Sequence, residues 1–147
     1  RIDILVNNAG IIGAPGWEER ETPSEEDWDS IYAVNVKGIA RATEAVAPHM
    51  KERRYGKIVN IASVAGRLGS PTSVAYAASK ASVINMTQTW AVELAQYGIR
   101  VNTIEPGWID TALPSPPSVC ADAVDRTMSA PAITSAVIAH NDVCPYR

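Results

Sequence analysis

Three short apolar runs, each cut off by a turn and each separated from the next by a long helical pattern, constrain this chain more than anything else in it. Residues 2–6 run into Asn7-Asn8-Ala9-Gly10, with Asp3 as the one polar interruption. Residues 57–62 run into Ser63, with Asn60 as the one interior polar residue, and a loop of Gly, Ser, Pro and Thr follows. Residues 99–104 stop at Glu105-Pro106-Gly107, because proline cannot continue a central strand. Short continuous apolar runs bounded by turns fit strands buried on both faces, as in a parallel sheet.

Helical spacing fills the gaps. Ser24 followed by Asp27 resembles a capping box with Asp in place of Glu. Glu25, Glu26, Asp27 and Asp29 suit the positive end of a helix. Apolar residues then fall at 28, 31, 32, 35/36, 39, 42, 46 and 50, which predicts a helix to about Arg53, closed by Tyr55-Gly56. Asn35 lies on that stripe, either satisfying a kink near Gly38 or holding its own backbone open to water. A second helix is predicted over 74–97, closed by Gly98. Val83, Met86 or Thr87, Trp90 and Leu94 form its core face, with Tyr76 and Lys80 expected on the other side. Gly13, Pro15, Gly16 and Pro23 make residues 11–23 a loop, which Trp17 anchors.

Strand, helix, strand, helix, strand gives an α/β fold with a parallel sheet. Ligands of such sheets sit beyond the carboxyl ends of the strands. Asn7-Asn8-Ala9-Gly10, Ser63 and Pro106-Gly107 all lie at such ends.

The stretch 63–80 gives that rim a chemistry. Residues four apart share a helix face, so the Lys80 ammonium lies about one turn from the Tyr76 phenol. A fixed cation beside a phenol favours the phenolate, which suits proton transfer near neutral pH. A serine hydroxyl delivered by the neighbouring strand would hold a carbonyl oxygen beside that phenol. A bare Tyr-x-x-x-Lys is usually an ordinary surface pair. Three signals converging on one rim favour the chemical reading here.

Composition excludes other classes. The 147 residues carry a net charge of −3, so there is no basic footprint for nucleic acid. No apolar run approaches the ~20 residues of a membrane span. Cys120 and Cys144 show no metal-ligand spacing, and His49 and His140 are isolated. No leader pattern opens the chain. A cytoplasmic protein without metal is expected.

Asn7-Asn8-Ala9-Gly10, Asn35, Ser63, Tyr76-Ala77-Ala78-Ser79-Lys80 and Pro106-Gly107 stand in the order and spacing of the short-chain dehydrogenase/reductase family. The resemblance covers about residues 2–113, and the flanking KIVNIASVAG and GIRVNTIEPG extend it towards the branch of 3-oxoacyl-carrier-protein reductases and sugar or alcohol dehydrogenases. It implies a partial Rossmann-like, doubly wound parallel sheet and hydride transfer between a carbonyl and a secondary alcohol with NAD or NADP. It implies Tyr76 as general acid/base, Lys80 as the group that eases Tyr76 ionisation and binds the nicotinamide ribose, and Ser63 as the substrate-orienting hydroxyl. Asn35 would hold a water that relays protons from Lys80. Asn8, Ala9 and Gly10 would line the adenosine side of the cofactor; Pro106, Gly107, Ile109 and Thr111 would pass the nicotinamide. Pocket residues would come from 11–23, 64–72 and the segment after Thr111, with Trp17 and Trp108 as possible flanks. The predicted helices resemble those that build the family's dimers and tetramers.

Two departures set further expectations. The family's glycine-rich turn, TGxxxGxG, does not occur in the sequence, and Arg1 leads almost directly into the first apolar run. A fragment of a longer reductase is expected, with residues 1–113 as its catalytic part. Such a fragment alone should hold dinucleotide poorly and leave its first strand with an open edge. A non-catalytic relative acting in binding or assembly is the alternative. Residues 114–147 hold five of the ten prolines and weak helical spacing, so a poorly ordered tail is expected there.

Overall fold

The computed structural model describes residues 1–69 and 72–107. Trp108, Ile109, Thr111 and the whole expected tail lie outside the described residues. Three parallel strands, β1 (Ile4–Asn7), β2 (Gly56–Ile61) and β3 (Ile99–Ile104), form a sheet in the order β1-β2-β3. Parallel neighbours need long crossovers. The first crossover holds α1 (Glu25–Tyr32) and α2 (Ile39–Arg53), joined by a widened π turn at Ala33–Gly38. The second is α3 (Val74–Ala95).

The strands pair in register, so Leu5, Ile58 and Val101 form one row and Asn7, Asn60 and Thr103 the next. Both rows face α2 and α3. Val46 and Met50 of α2 and Leu94 of α3 meet Ile58, Ile99 and Val101 there. The polar row is fully bonded. Asn7 Nδ2 donates to Asn60 Oδ1 at 2.8 Å, Asn60 Nδ2 donates to Thr87 Oγ1 at 2.9 Å, and Thr87 Oγ1 donates to the Val83 carbonyl at 2.7 Å. A register slip would bury these amides without partners, so the ladder pins the pairing.

The opposite face departs from expectation. Strands buried on both faces were predicted, but the described helices lie on one face only. Ile4 and Val6 are 54% and 55% exposed, and Val59, Ile61 and Ile104 are half-buried. The reason is topological. Chain order and spatial order agree across the three strands, so crossovers of one hand fall on one side.

Local signals explain the helix ends. The expected capping box is present: Ser24 Oγ accepts from Asp27 N–H, and the Asp27 carboxylate accepts from Ser24 N–H. Asp27 is buried and also accepts from Ala14 N–H at 2.7 Å and Arg20 Nη1 at 2.8 Å. It therefore ties loop 11–23 to α1. The hydrogen bond from Ser24 N–H, then burial opposing it, then the Ser24 hydroxyl, Ala14 N–H and the Arg20 charge leave this carboxyl at about 2.

At the end of α2 the predicted Gly56 closure is corrected. Arg54 takes the left-handed position, with φ 52°. Gly56 opens β2 instead, where a Cβ would stand 2.3 Å from Met50 Sδ. α3 ends two residues before the predicted 97. Tyr97 and Gly98 make tightened i−3 bonds to Leu94 and Ala95, and Gly98 turns the chain at φ 70°.

The polar row predicts its own fragility. Asn60→Ala removes the shorter of the two bonds of Asn7 Nδ2 and the donor to Thr87 Oγ1. It should lower unfolding free energy by about 1–3 kcal/mol for each group left unpaired, read from urea denaturation; an unchanged midpoint would refute the ladder's role. Asp27 predicts an acid limb. Its folded pKa lies below the unfolded 3.8, so its contribution is complete above that value and disappears as pH falls towards about 2. The urea midpoint should drop across this window, and the drop should be shallower in Asp27→Asn.

Candidate functional site

The carboxyl ends of all three strands meet at one rim. β1 delivers the exposed Asn8-Ala9-Gly10 turn, β2 delivers Ser63, and β3 delivers Pro106 and the exposed Gly107. The first turns of α3 lie beside them and supply Tyr76 and Lys80.

Lys80 is the centre of the group. It is only 4% exposed, which corrects the expectation that it lies opposite the core face. Residues 76, 80, 83 and 87 follow helical spacing, so Lys80 shares a stripe with the buried Val83 and Thr87. Its ammonium donates to the Ile61 carbonyl, the last of β2, at 2.9 Å. It stands 5.6 Å from the centroid of the half-buried Tyr76 ring. Burial pushes the Lys80 pKa below its ordinary value. A nearby acceptor and an aromatic face compensate part of that desolvation.

Gly10 and Asn35 close around the ammonium. A Cβ on Gly10 would lie 3.3 Å from Lys80 Nζ and 3.4 Å from Asn35 Oδ1, so the bare glycine lets the loop approach both. Asn35 is fully buried in the π turn. Its Oδ1 accepts from Ile11 N–H at 2.8 Å, and its Nδ2 donates to the Ile11 carbonyl at 2.9 Å and to Ser79 Oγ at 3.0 Å. Both amide hydrogens are thus spent on holding the loop after Gly10 against α3. This side chain serves as a brace between that loop and α3, a role that neither sequence reading named. Its backbone lies in the widened turn, a geometry that recurs at functional positions.

Ser63 follows β2 in extended conformation and caps the short 3-10 turn Val64–Gly66. Its Oγ accepts from Ala65 N–H at 3.2 Å, which engages a lone pair and leaves the O–H able to donate. Pro106 lies beside it, because Val64 N–H donates to the Pro106 carbonyl at 3.1 Å. A cleft of about 310 Å³ opens between the 11–23 loop and the start of α3, lined by Trp17, Arg20, Thr22, Pro23, Ser73 and Val74 among others. Trp17, read as an anchor, is half-buried and forms part of this wall.

The rim therefore gathers Gly10, Asn35, Tyr76 and Lys80, with Ser63 and Pro106 on the adjoining strand ends. Ile109 and Thr111 lie outside the described residues. Sequence reasoning missed Ser79, which bridges Asn35 to the Tyr76 carbonyl through a 2.7 Å bond. It also missed Arg67 and Glu105, which pair across this rim. Ser79 could have been noticed as Lys80's neighbour in the same motif. The ion pair has no local sequence signal, since its members are 38 residues apart.

No helix among the described residues is long and apolar enough to cross a membrane. Residues 1–117 match the family model for short chain dehydrogenase. Over 113 residues the chain is 50% identical to the 3-oxoacyl-acyl-carrier-protein reductase of Thermotoga maritima, covering 77% of this chain and 45% of that one. Among solved structures, an NAD+-bound xylitol dehydrogenase superposes with a TM-score of 0.68 at 40% identity, over 76% of this chain and 42% of its own. A gluconate 5-dehydrogenase from Burkholderia cenocepacia, in complex with NADP and tartrate, does so at 0.67 and 42% identity, over 76% and 43%. The chain spans less than half the length of these relatives. With its strand ends, parallel register and rim residues in the family's order, this chain belongs to the short chain dehydrogenase family.

Proposed function

We propose that residues 1–113 form the catalytic part of an NAD- or NADP-dependent oxidoreductase that interconverts a small-molecule carbonyl and a secondary alcohol. The observation that carries this reading is the buried Lys80 ammonium, held by the Ile61 carbonyl beside the Tyr76 ring. A buried charge is costly unless it is compensated, and this one stands where a phenol would ionise.

The residues present suit a dinucleotide. An ammonium has three donors, and the Ile61 carbonyl takes one, so two remain for a ribose hydroxyl and its surroundings. Gly10 keeps the neighbouring loop free of a side chain that would press on Lys80 Nζ. Asn8, Ala9 and Gly10 line one side of the rim, and Pro106 and Gly107 line another. Ile109 and Thr111 belong to the same proposed set. The dinucleotide supplies the hydride. Ser63 donates its hydroxyl hydrogen to the substrate oxygen, Tyr76 gives that oxygen a proton in reduction and takes it back in oxidation, and the Lys80 ammonium stabilises the phenolate left behind. Asn35 braces the loop beside Lys80, and its backbone is the proposed holder of a relay water.

Association through α2 and α3, as a homodimer or homotetramer, belongs to the same reading. Val92 on the outer face of α3 is 81% exposed and would be covered by it.

The test is a chimera in which residues 1–113 replace the matching segment of the Thermotoga maritima reductase. Tyr76→Phe should lower turnover by about 10²–10⁴-fold while dinucleotide affinity, from fluorescence titration, stays the same. Lys80→Ala should lower both. Near-normal turnover in the Phe variant would overturn the assignment of Tyr76. Unaltered rate and affinity in the Ala variant would reduce Lys80 to a structural residue.

A further inference from the structure

The ends of β2 and β3 are joined by an ion pair that the proposed chemistry does not use. Arg67 closes the 3-10 turn that follows Ser63, and Glu105 is the residue before Pro106. Arg67 Nη2 donates to Glu105 Oε1 at 2.9 Å, and Arg67 Nε donates to Oε2. This two-pronged geometry fixes direction as well as distance. Glu105 is 5% exposed and Arg67 39%, so a largely buried carboxylate depends on one reachable guanidinium.

The surroundings show what the pair holds. Arg67 N–H donates to the Val64 carbonyl at 2.9 Å, and Val64 N–H donates to the Pro106 carbonyl at 3.1 Å. On the turn's other side a Cβ at Gly66 would stand 2.7 Å from Lys80 C and 2.8 Å from Ala81 N. The Ser63–Arg67 turn is thus seated between the end of β3 and the Lys80 stretch of α3. The backbone meets the end of β3 through Ala62 N–H to the Ile104 carbonyl at 2.8 Å and through that Val64 bond. The fork adds a side-chain attachment at the far end of the turn, beyond both.

We propose that Arg67 and Glu105 are a positioning pair, setting the Ser63 turn against the Pro106-Gly107 segment. Neither touches the reacting atoms. Through them, the hydroxyl that orients the substrate oxygen and the backbone that passes the nicotinamide keep a fixed separation. The roles of Ser63 and Pro106-Gly107 rest on the function proposed above; the mechanical coupling does not.

Two measurements separate the ideas. In the 147-residue chain, amide hydrogen exchange is followed at Val64 and Ala65 and compared with Ile58 and Val101 in the core. Glu105→Gln, which keeps the shape and removes the charge, should speed exchange at Val64 and Ala65 by at least about tenfold while Ile58 and Val101 change less than about twofold. Arg67→Lys, which keeps the charge and loses the fork, should fall between, and Arg67→Glu combined with Glu105→Arg should recover part of the protection. Unchanged exchange at Val64, or an equal rise at all four amides, overturns the proposal. The same variants in the chimera, where the parent segment guarantees a folded reference, should lower kcat by about tenfold or more at unchanged dinucleotide affinity. An unaltered kcat there also overturns it. Should Tyr76→Phe prove active while the exchange pattern holds, the function reading fails and the coupling stands.

Discussion

A charge buried at the edge of a core must be compensated where it lies, and the Lys80 ammonium sets that requirement for this whole rim. Its stem runs along the same stripe as Val83 and Thr87, so the helix cannot dock without burying it. The last carbonyl of β2 meets it, which fixes α3 against the sheet end. Lacking a side chain, the Gly10 loop passes without pressing on the ammonium, and Gly66 lets the Ser63 turn approach the same helix turn. Gly10 and the Ile61 carbonyl thus answer to the cation itself, whereas Gly66 answers to the α3 backbone at Lys80 and Ala81. The order is physical: the strand ends create the rim, and the cation decides which backbone may come near it.

The sheet provides the stage by an unusual division. One face is sealed by two helices over rows that end in bonded amides, and the other carries Ile4 and Val6 largely exposed. A purely apolar row would tolerate slippage better than the Asn7–Asn60 row does. Each bonded amide makes a shifted register leave donors and acceptors unpaired. Specificity of pairing therefore comes from the polar residues, while the stabilising area comes from Ile58, Val101 and Ile99 of the sheet packed against Met50 and Leu94 of the helices. The division places the polar row nearest the rim, so the best-defined register lies where the strand ends must be held.

Much of this was legible. The three apolar runs became strands displaced by no more than two residues, because turn residues and proline mark strand ends strongly. The Ser24–Asp27 box was readable from two residues and proved complete. What was not legible depended on distant partners. Arg54 turns the chain, and Gly56 is needed instead inside β2, where Met50 fills the space over it. The π turn at 33–38 arises where Asn35 must face Ile11 and Ser79 at once, a demand set by another loop and another helix. Lys80 is expected on the side away from the core face, although its spacing to Val83 and Thr87 already puts it on the buried stripe. Periodicity carried more weight there than residue type. The ion pairs of Asp27 with Arg20 and of Glu105 with Arg67 have no pattern in the chain.

Those two pairs have the same design. In each, a carboxylate is buried to within a few per cent and its arginine is partly exposed. In each, the arginine comes from an irregular segment and the acid from the end of a regular element. Loops around a binding rim cannot be held by apolar burial alone, since their backbone groups need water or partners. A buried acid at a helix start or strand end offers such loops a fixed acceptor on the rigid part of the fold. The partly exposed guanidinium fastens the loop without removing it from solvent. Asp27 holds the 11–23 loop, one wall of the cleft, in this way. Glu105 holds the turn after Ser63. The rim is therefore bordered by loops whose positions are set from the scaffold by charge, while its centre is set by the buried Lys80 ammonium, which is held by a backbone carbonyl.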